Sequence, residues 1–300
     1  MRTVTARRAS LTLLAVTMIW GTTFAIVHTE SRSYPPIALV ALRFGVAAAA
    51  MVPFVLRREV LNARLVWSGI GLGALLFPGF ALQTLGLART TPARAGFLTG
   101  LYVVLVPILS RILGDKISRK TIAAVVVSVT GMAILSWGAQ MGSAGLSKSA
   151  FEAGLPDLES GDQLIMFCAV VYAFHVMAIA RWAKGLPVLP LNAIQLAVVA
   201  VLAAISAPFF EGGFPVPSLG TSWTVLYLAL LCTVVAFSMM LQAQPHTTPT
   251  RASLIYSLEA LFAALFSWMW LGEVPSASVW IGGGLMTLAV VMMEWDNRSS

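Results

Sequence analysis

Of the 300 residues, 58% are hydrophobic and only 10% charged, whereas a water-soluble protein of this size carries roughly a quarter charged. That composition excludes disordered, coiled-coil and secreted disulfide-scaffold classes; Cys168 and Cys232 both sit inside apolar runs and form no disulfide framework. The formal net charge of +7 comes from short basic clusters between apolar runs and not from a basic stripe. It therefore points to orientation in a lipid bilayer, with no nucleic-acid partner.

A hydrocarbon core of about 30 Å takes about 20 apolar residues in a helix. Ten stretches qualify in chain order: 9–29, 34–56, 65–87, 92–113, 118–138, 162–181, 190–209, 219–241, 249–271 and 275–294. They are expected to be helices, because other backbone leaves polar groups unsatisfied in lipid and a strand barrel needs short alternating segments. The fold class is thus an all-α polytopic membrane protein with ten transmembrane helices. The first stretch starts like a signal peptide, with Arg7 and Arg8 before Leu11 to Trp20. No small-residue cleavage pattern follows before Pro35, so it is expected to stay as a helix.

Cytoplasmic loops collect Lys and Arg. With the N-terminus inside, fourteen of the 19 basic residues fall on the inner side, and only Arg32, Arg89, Arg94 and Lys148 fall outside. Both termini are then expected in the cytoplasm. The long Gly-, Ser-, Glu- and Asp-containing connection at 141–161 is expected to be a periplasmic linker.

The sequence also contains a repeat. Thr90-Thr91-Pro92-Ala93-Arg94-Ala95 recurs as Thr247-Thr248-Pro249-Thr250-Arg251-Ala252, and Leu113-Gly114-Asp115 as Leu271-Gly272-Glu273. The offsets, 157 and 158, stay in register across a whole span. Residues 1–140 and 162–300 are expected to be two five-helix copies. Five is odd, so the second copy enters the membrane upside down. Inverted repeats are a transporter device, with the substrate site at mid-membrane between the halves.

Mid-span polar and aromatic groups are therefore the candidates. Trp20, Tyr102 and Tyr172 lie at the centres of spans one, four and six, and Tyr256 lies in span nine. Such rings offer a flat apolar face and a hydrogen bond to an amphipathic solute, although they equally serve packing. His175 shares the face of Tyr172; Gln83 and Gln242 lie towards the ends of spans three and eight, and Gln195 in span seven. Arg43 and Glu259 are ionisable within spans, which marks either function or a helix-packing partner; Glu259 is the one carboxylate well inside a span, hence the candidate for proton coupling. Pro78-Gly79 and Pro107 interrupt the backbone ladder. Gly69 to Gly73 and Gly96 to Gly100 have the small-residue spacing of close helix packing. His28, His175 and His246 are far apart and nothing has metal-ligand spacing, so no cofactor or metal is implied and an embedded enzyme is disfavoured.

The chain resembles the EamA family of the drug/metabolite transporter superfamily. The likeness rests on Ile19-Trp20-Gly21 with Phe24, Ala41-Leu42-Arg43-Phe44, Arg94-Ala95 through Phe97-Leu98-Thr99 to Pro107, Gly161-Asp162, Leu258-Glu259, Leu271-Gly272-Glu273 and the Gly282 to Gly284 run. Within the superfamily it also looks similar to the aromatic amino-acid exporters. The resemblance implies two inverted five-helix repeats and export of small metabolites, commonly amino acids or drugs. It further implies a cavity lined by helices 1, 3, 4, 6, 8 and 9, which carry Trp20, Gln83, Tyr102, Tyr172, His175 and Tyr256, and makes Arg43 on helix 2 structural. Family members carry proline after the Glu of helix 9; here Ala260 stands there, which leaves a kink at that position open. The expected function is export of amino acids or related amphipathic metabolites across a bacterial inner membrane. A broad drug or metabolite efflux carrier and a channel are the alternatives.

Overall fold

The computed structural model describes residues 6–55, 61–142, 160–271 and 275–295. Most of the expected linker 141–161, and the Gly272-Glu273 part of the repeat, lie outside the described residues.

The described residues form ten helices, nine of them long and apolar enough to cross a membrane. Helix α1 comprises Ala6–Gly21 and Thr23–Ser33; α2 is Pro36–Val55, α3 Ala63–Leu87, α4 Pro92–Gly100 and Tyr102–Ile112, and α5 Arg119–Gly142. Helix α6 is Ser160–Trp182 and α7 Val188–Glu211. Helix α8 runs from Leu219–Ala229 through a π-turn, Leu230–Val235, into Ala236–Ala243 and a 3-10 turn, Gln244–His246. Helix α9 is Pro249–Ser257 and Glu259–Leu271, and α10 is Ala277–Trp295. All but α9 contain a continuous described stretch apolar and long enough to cross a bilayer; α9 has the length in two pieces.

The helix starts follow from capping chemistry. Asn62, Ser118 and Ser218 each accept a hydrogen bond from the backbone N–H three residues on, at 2.9, 3.1 and 3.0 Å. The repeated Thr-Pro pair acts the same way in both copies: Thr91 accepts from the Arg94 N–H at 3.3 Å and Thr248 from the Arg251 N–H at 3.2 Å, with proline at the first helical position, where no N–H is needed. The Glu211 carboxylate, closing α7, accepts from the Ile37 and Ala38 N–H groups that open α2 (2.8 and 2.9 Å), placing negative charge on a helix N-terminus.

Packing returns the same neighbours when five is added to each helix number. Helix α3 lies on α6 as α8 lies on α1; α3 touches α7 as α8 touches α2; α4 meets α6 as α9 meets α1. The pairs α2–α7, α4–α9 and α5–α10 join equivalent helices across the pseudo-two-fold axis. Without a hydrophobic drive between helices in lipid, close approach depends on small residues. A Cβ on Gly282 would lie 2.4 Å from the Gly131 carbonyl oxygen, so α5 and α10 touch through backbone. On α3, Gly69 and Gly73 admit Ile194 and the Gln195 carbonyl of α7 in the same manner.

The breaks fall where proline does not. Both Pro78 and Pro107 are carried inside continuous helix. Helix α4 is interrupted at Leu101 and α9 at Leu258, 157 residues apart and with matching backbone angles (−59°, −15° and −61°, −10°). Each N–H there reaches back three residues instead of four, Leu101 to Leu98 at 3.3 Å and Leu258 to Ile255 at 3.1 Å. The α9 kink left open by Ala260 thus exists without a proline.

Candidate functional site

A cavity at the repeat interface is lined from seven helices: Trp20 and Thr23 (α1), Arg43 (α2), Leu76, Phe80 and Gln83 (α3), Tyr102 (α4), Tyr172, His175 and Val176 (α6), Phe237 and Met240 (α8), Tyr256 and Glu259 (α9). Its volume is about 60 Å³, room for a handful of waters at roughly 10–15 Å³ each. Eight of the ten mid-span residues singled out from the sequence, Trp20, Arg43, Gln83, Tyr102, Tyr172, His175, Tyr256 and Glu259, lie in this one wall, whereas Gln195 and Gln242 do not. Arg43, which the resemblance made structural, adds a seventh helix to the expected six. Gln242 is exposed and takes no part; two residues on, buried Gln244 accepts the Tyr256 hydroxyl at 2.9 Å and donates to the Val176 carbonyl at 2.8 Å.

The wall is built on the pseudo-two-fold axis. An offset of 157 carries Phe80 to Phe237, Gln83 to Met240 and Tyr102 to Glu259; through the first two helices of each half the offset is 152, which carries Trp20 to Tyr172 and Thr23 to His175. Ring contacts obey both offsets at once: Phe80 meets Tyr172 edge-on at 6.0 Å, Phe237 meets Trp20 at 5.2 Å, and the two phenylalanines meet on the axis at 5.9 Å. Four aromatic rings thus run in a chain across the centre of the protein, with Tyr256 joining Trp20 at 5.7 Å. Sequence reasoning missed Phe80 and Phe237, since a phenylalanine in a lipid span carries no signal beyond apolarity; the repeat offset was the signal that could have paired them.

Polar groups break the symmetry. The buried Arg43 guanidinium sits 4.8 Å over the Phe80 ring, donates from Nε to the Thr233 hydroxyl at 2.7 Å, and from Nη2 to the Cys232 carbonyl at 3.3 Å. These contacts offset part of the cost of a cation in hydrocarbon. Its Nη1 bonds to no described residue. The Cys232 carbonyl also accepts the Trp20 indole N–H at 3.0 Å. Cys232 and Thr233 lie in the π-turn, where the Thr233 hydroxyl donates to the Leu228 carbonyl five residues back at 2.8 Å. The wider turn thus puts backbone and side-chain acceptors where a cation and an indole need them.

Glu259 is the first residue after the α9 break, at the head of a half-helix whose N-terminus favours negative charge. Its carboxylate hydrogen-bonds to no described residue and forms no ion pair with Arg43, although both line the cavity. Tyr172 donates to the Gln83 amide oxygen at 3.1 Å and packs where a Cβ on Gly79 would lie 2.4 Å from its ring. His175 is buried, its Nε2 3.2 Å from the Gln195 amide oxygen. No group of three or more His, Cys, Asp and Glu that could hold a metal occurs among the described residues.

At one end of the bundle the halves are clasped. Asp162, fully buried at the start of α6, takes an ion pair from Arg94 on α4 and a 2.6 Å hydrogen bond from Thr90. The equivalent arginine, Arg251, instead pairs with Glu294 of its own half, at 2.5 Å.

Ten helices in two inverted copies around a central aromatic cavity define a membrane transporter of the inverted-repeat class. The chain belongs to the EamA-like transporter family, whose pattern matches residues 7–137 and 159–295. It is similar to an uncharacterized transporter of Archaeoglobus fulgidus, 29% identical over 95% of this chain and 85% of the other. The uncharacterized inner membrane transporter YedA of Escherichia coli is 25% identical, over 94% and 89%. The aromatic amino acid exporter YddG of Ancylobacter novellus is 28% identical over 72% of each chain. A crystal structure with 20% sequence identity shares the fold, with a TM-score of 0.76 over 97% of this chain and 98% of that one.

Proposed function

We propose that this protein is a secondary transporter exporting amino acids or related small amphipathic metabolites from a bacterial cell, by alternating access at the central cavity. The observation that carries this reading is the coexistence of a guanidinium and a carboxyl group, Arg43 and Glu259, in one aromatic wall without a bond between them. A buried charge without a counter-ion is costly. An amino-acid zwitterion supplies both missing partners, its carboxylate for Arg43 Nη1 and its ammonium for Glu259, while Trp20, Phe80, Phe237 and Tyr172 cover an apolar side chain. The name of the YddG relative supports the substrate class, and that of YedA supports an inner membrane. The basic-residue count supports cytoplasmic termini, with repeats 1–140 and 162–300 joined by a periplasmic linker at 141–161.

The cavity has room for a few waters but is tight for an organic solute, so the two halves must separate around it. The equivalent breaks at Leu101 and Leu258 are the places for that bending, and each is followed at once by a wall residue, Tyr102 or Glu259. Exchange of conformations between halves exposes the site to either side in turn.

The test is counterflow of labelled amino acids into proteoliposomes of the purified protein, with and without a pH gradient. Saturable exchange of zwitterions, abolished in Arg43→Gln, is expected; transport of organic cations alone, insensitive to Arg43→Gln, would overturn the zwitterion reading. That second outcome is the broad drug-efflux reading, favoured by Glu259 lying among aromatic faces that attract cations. Glu259→Gln removes the candidate proton carrier, so proton coupling predicts that the pH-gradient dependence disappears with it.

A further inference from the structure

The polar wall is organised from one place on the backbone, the π-turn Leu230–Val235 of α8. Its Cys232 carbonyl holds Trp20 and Arg43 on one side. Its Val234 carbonyl, on the other, lies 3.4 Å from Asn192 Nδ2, which also donates to the Ser238 hydroxyl at 2.9 Å. A carbonyl oxygen only accepts, so this contact settles which end of the Asn192 amide is nitrogen. Asn192 Oδ1 is then the acceptor for Gln195 Nε2 at 3.3 Å, and Gln195 Oε1 faces His175 Nε2. The imidazole must donate through Nε2. A neutral ring with its proton there carries a lone pair on Nδ1, and that atom bonds to no described residue while His175 forms part of the cavity wall. His175 lies one turn beyond Tyr172 on α6, and both side chains line the same cavity as Arg43 and Glu259.

We infer that His175 accepts, through Nδ1, a hydrogen bond from a donor at the tip of the solute's side chain, and that Gln195 and Asn192 are positioning residues that hold this tautomer. The inference rests on the amino-acid reading above and narrows it: the cavity takes amino acids whose aromatic side chain carries an N–H or O–H, an indole or a phenol, in preference to a phenyl. A site built to bond a substrate donor discriminates against the analogue lacking it, because its own acceptor is left without a partner.

The experiment is counterflow in proteoliposomes of the full chain with two matched pairs, tyrosine against phenylalanine and tryptophan against 1-methyltryptophan. The donor-bearing member of each pair is expected to have a KM lower by about tenfold, the size of effect one buried hydrogen bond gives. His175→Leu is expected to bring both ratios to about one, and His175→Asn, whose amide oxygen reaches the Nδ1 position, to restore most of the preference. Gln195→Leu should lower the ratios through KM more than through kcat, which mere loosening of the fold would not do. A wild-type ratio near one with phenylalanine still transported overturns the His175 assignment and leaves the amino-acid reading standing. An undiminished ratio in folded His175→Leu does the same. If no amino acid moves at all, the underlying reading fails and takes this inference with it.

Discussion

The two halves of the molecule solve the same backbone problem differently. Helix α3 carries Pro78 at the position where α8 closes its π-turn, 157 residues later at Val235. Proline deletes a donor and leaves a carbonyl of the preceding turn without its helical bond, whereas the π-turn redirects its carbonyls sideways, and those of Cys232 and Val234 have become acceptors for Arg43, Trp20 and Asn192. At the π-turn the first half therefore supplies the donors, Trp20 and Arg43, and the second supplies the backbone acceptors. The lesson is that inverted halves share a scaffold while their cavity chemistry has diverged, so a solute meets a site with a distinct polar end.

The largest test of that comparison is at the clasp. Removing one partner of a buried ion pair costs about 3–5 kcal/mol; because Arg94 keeps 16% exposure, Asp162→Asn is expected to cost somewhat less, about 2–4 kcal/mol, measured as a lower Tm in detergent. Glu294, 31% exposed beside Arg251, sits closer to the regime of solvent-screened pairs, and Glu294→Gln should cost about 1 kcal/mol or less. Equal losses would show that the bridge between halves at Asp162 contributes nothing beyond an ordinary pair.

Next in size is the equivalent pair Tyr102 and Glu259. Hydrogen bonds to charged groups contribute about 1.5–3 kcal/mol, so Glu259→Gln is expected to reduce uptake of zwitterions by roughly 10- to 100-fold, and Tyr102→Phe by about threefold or less. The check is kcat/KM for one amino acid in both variants. Matching losses would mean that the cavity is functionally symmetric after all.

Spans, repeat and most polar wall residues were legible in the sequence because lipid enforces them: apolar length sets the helices, and a polar group in mid-span stands out against its surroundings. What escaped was geometry created by contact. Nothing local marks Leu230–Val235 as a π-turn, which becomes recognisable only when Thr233 reaches the Leu228 carbonyl and Arg43 arrives from another helix. The break at Leu258 has no proline, and Gln244 was passed over for Gln242 because the 3-10 turn that carries α8 past residue 243 brings Gln244 inward. Pro78 and Pro107 remove their donors yet stay inside continuous helix, so neither proline marks a helix boundary.

A smaller effect is expected at Gly79, whose counterpart is Ala236. The α8 position tolerates a methyl group, buried and in ordinary helical geometry. In α3 the same methyl would fall 2.4 Å from the Tyr172 ring. Gly79→Ala should push Tyr172 off Gln83 at a cost of about 1–2 kcal/mol from overpacking, seen as a threefold to tenfold loss in kcat/KM. Gly45→Ala on α2, where nothing lies within 4 Å of the added carbon, serves as the control and should leave transport within twofold. Loss in both variants would point to general damage instead of a displaced ring.

The smallest prediction concerns the feature the halves hold in common. Thr91 and Thr248 are both exposed, both precede proline, and accept the same backbone N–H three residues on at 3.3 and 3.2 Å. Replacing a threonine cap by alanine typically costs about 0.5–2 kcal/mol, with exposed sites at the low end. Thr91→Ala and Thr248→Ala should therefore lower Tm by the same small amount, each about 0.5–1 kcal/mol, and the double variant should show their sum because the caps share no partner. A clear inequality would mean that one half-helix depends on its cap more than the other. In that case the divergence seen in the cavity would extend to the scaffold, and the matching dihedrals at Leu101 and Leu258 would no longer imply matching stiffness.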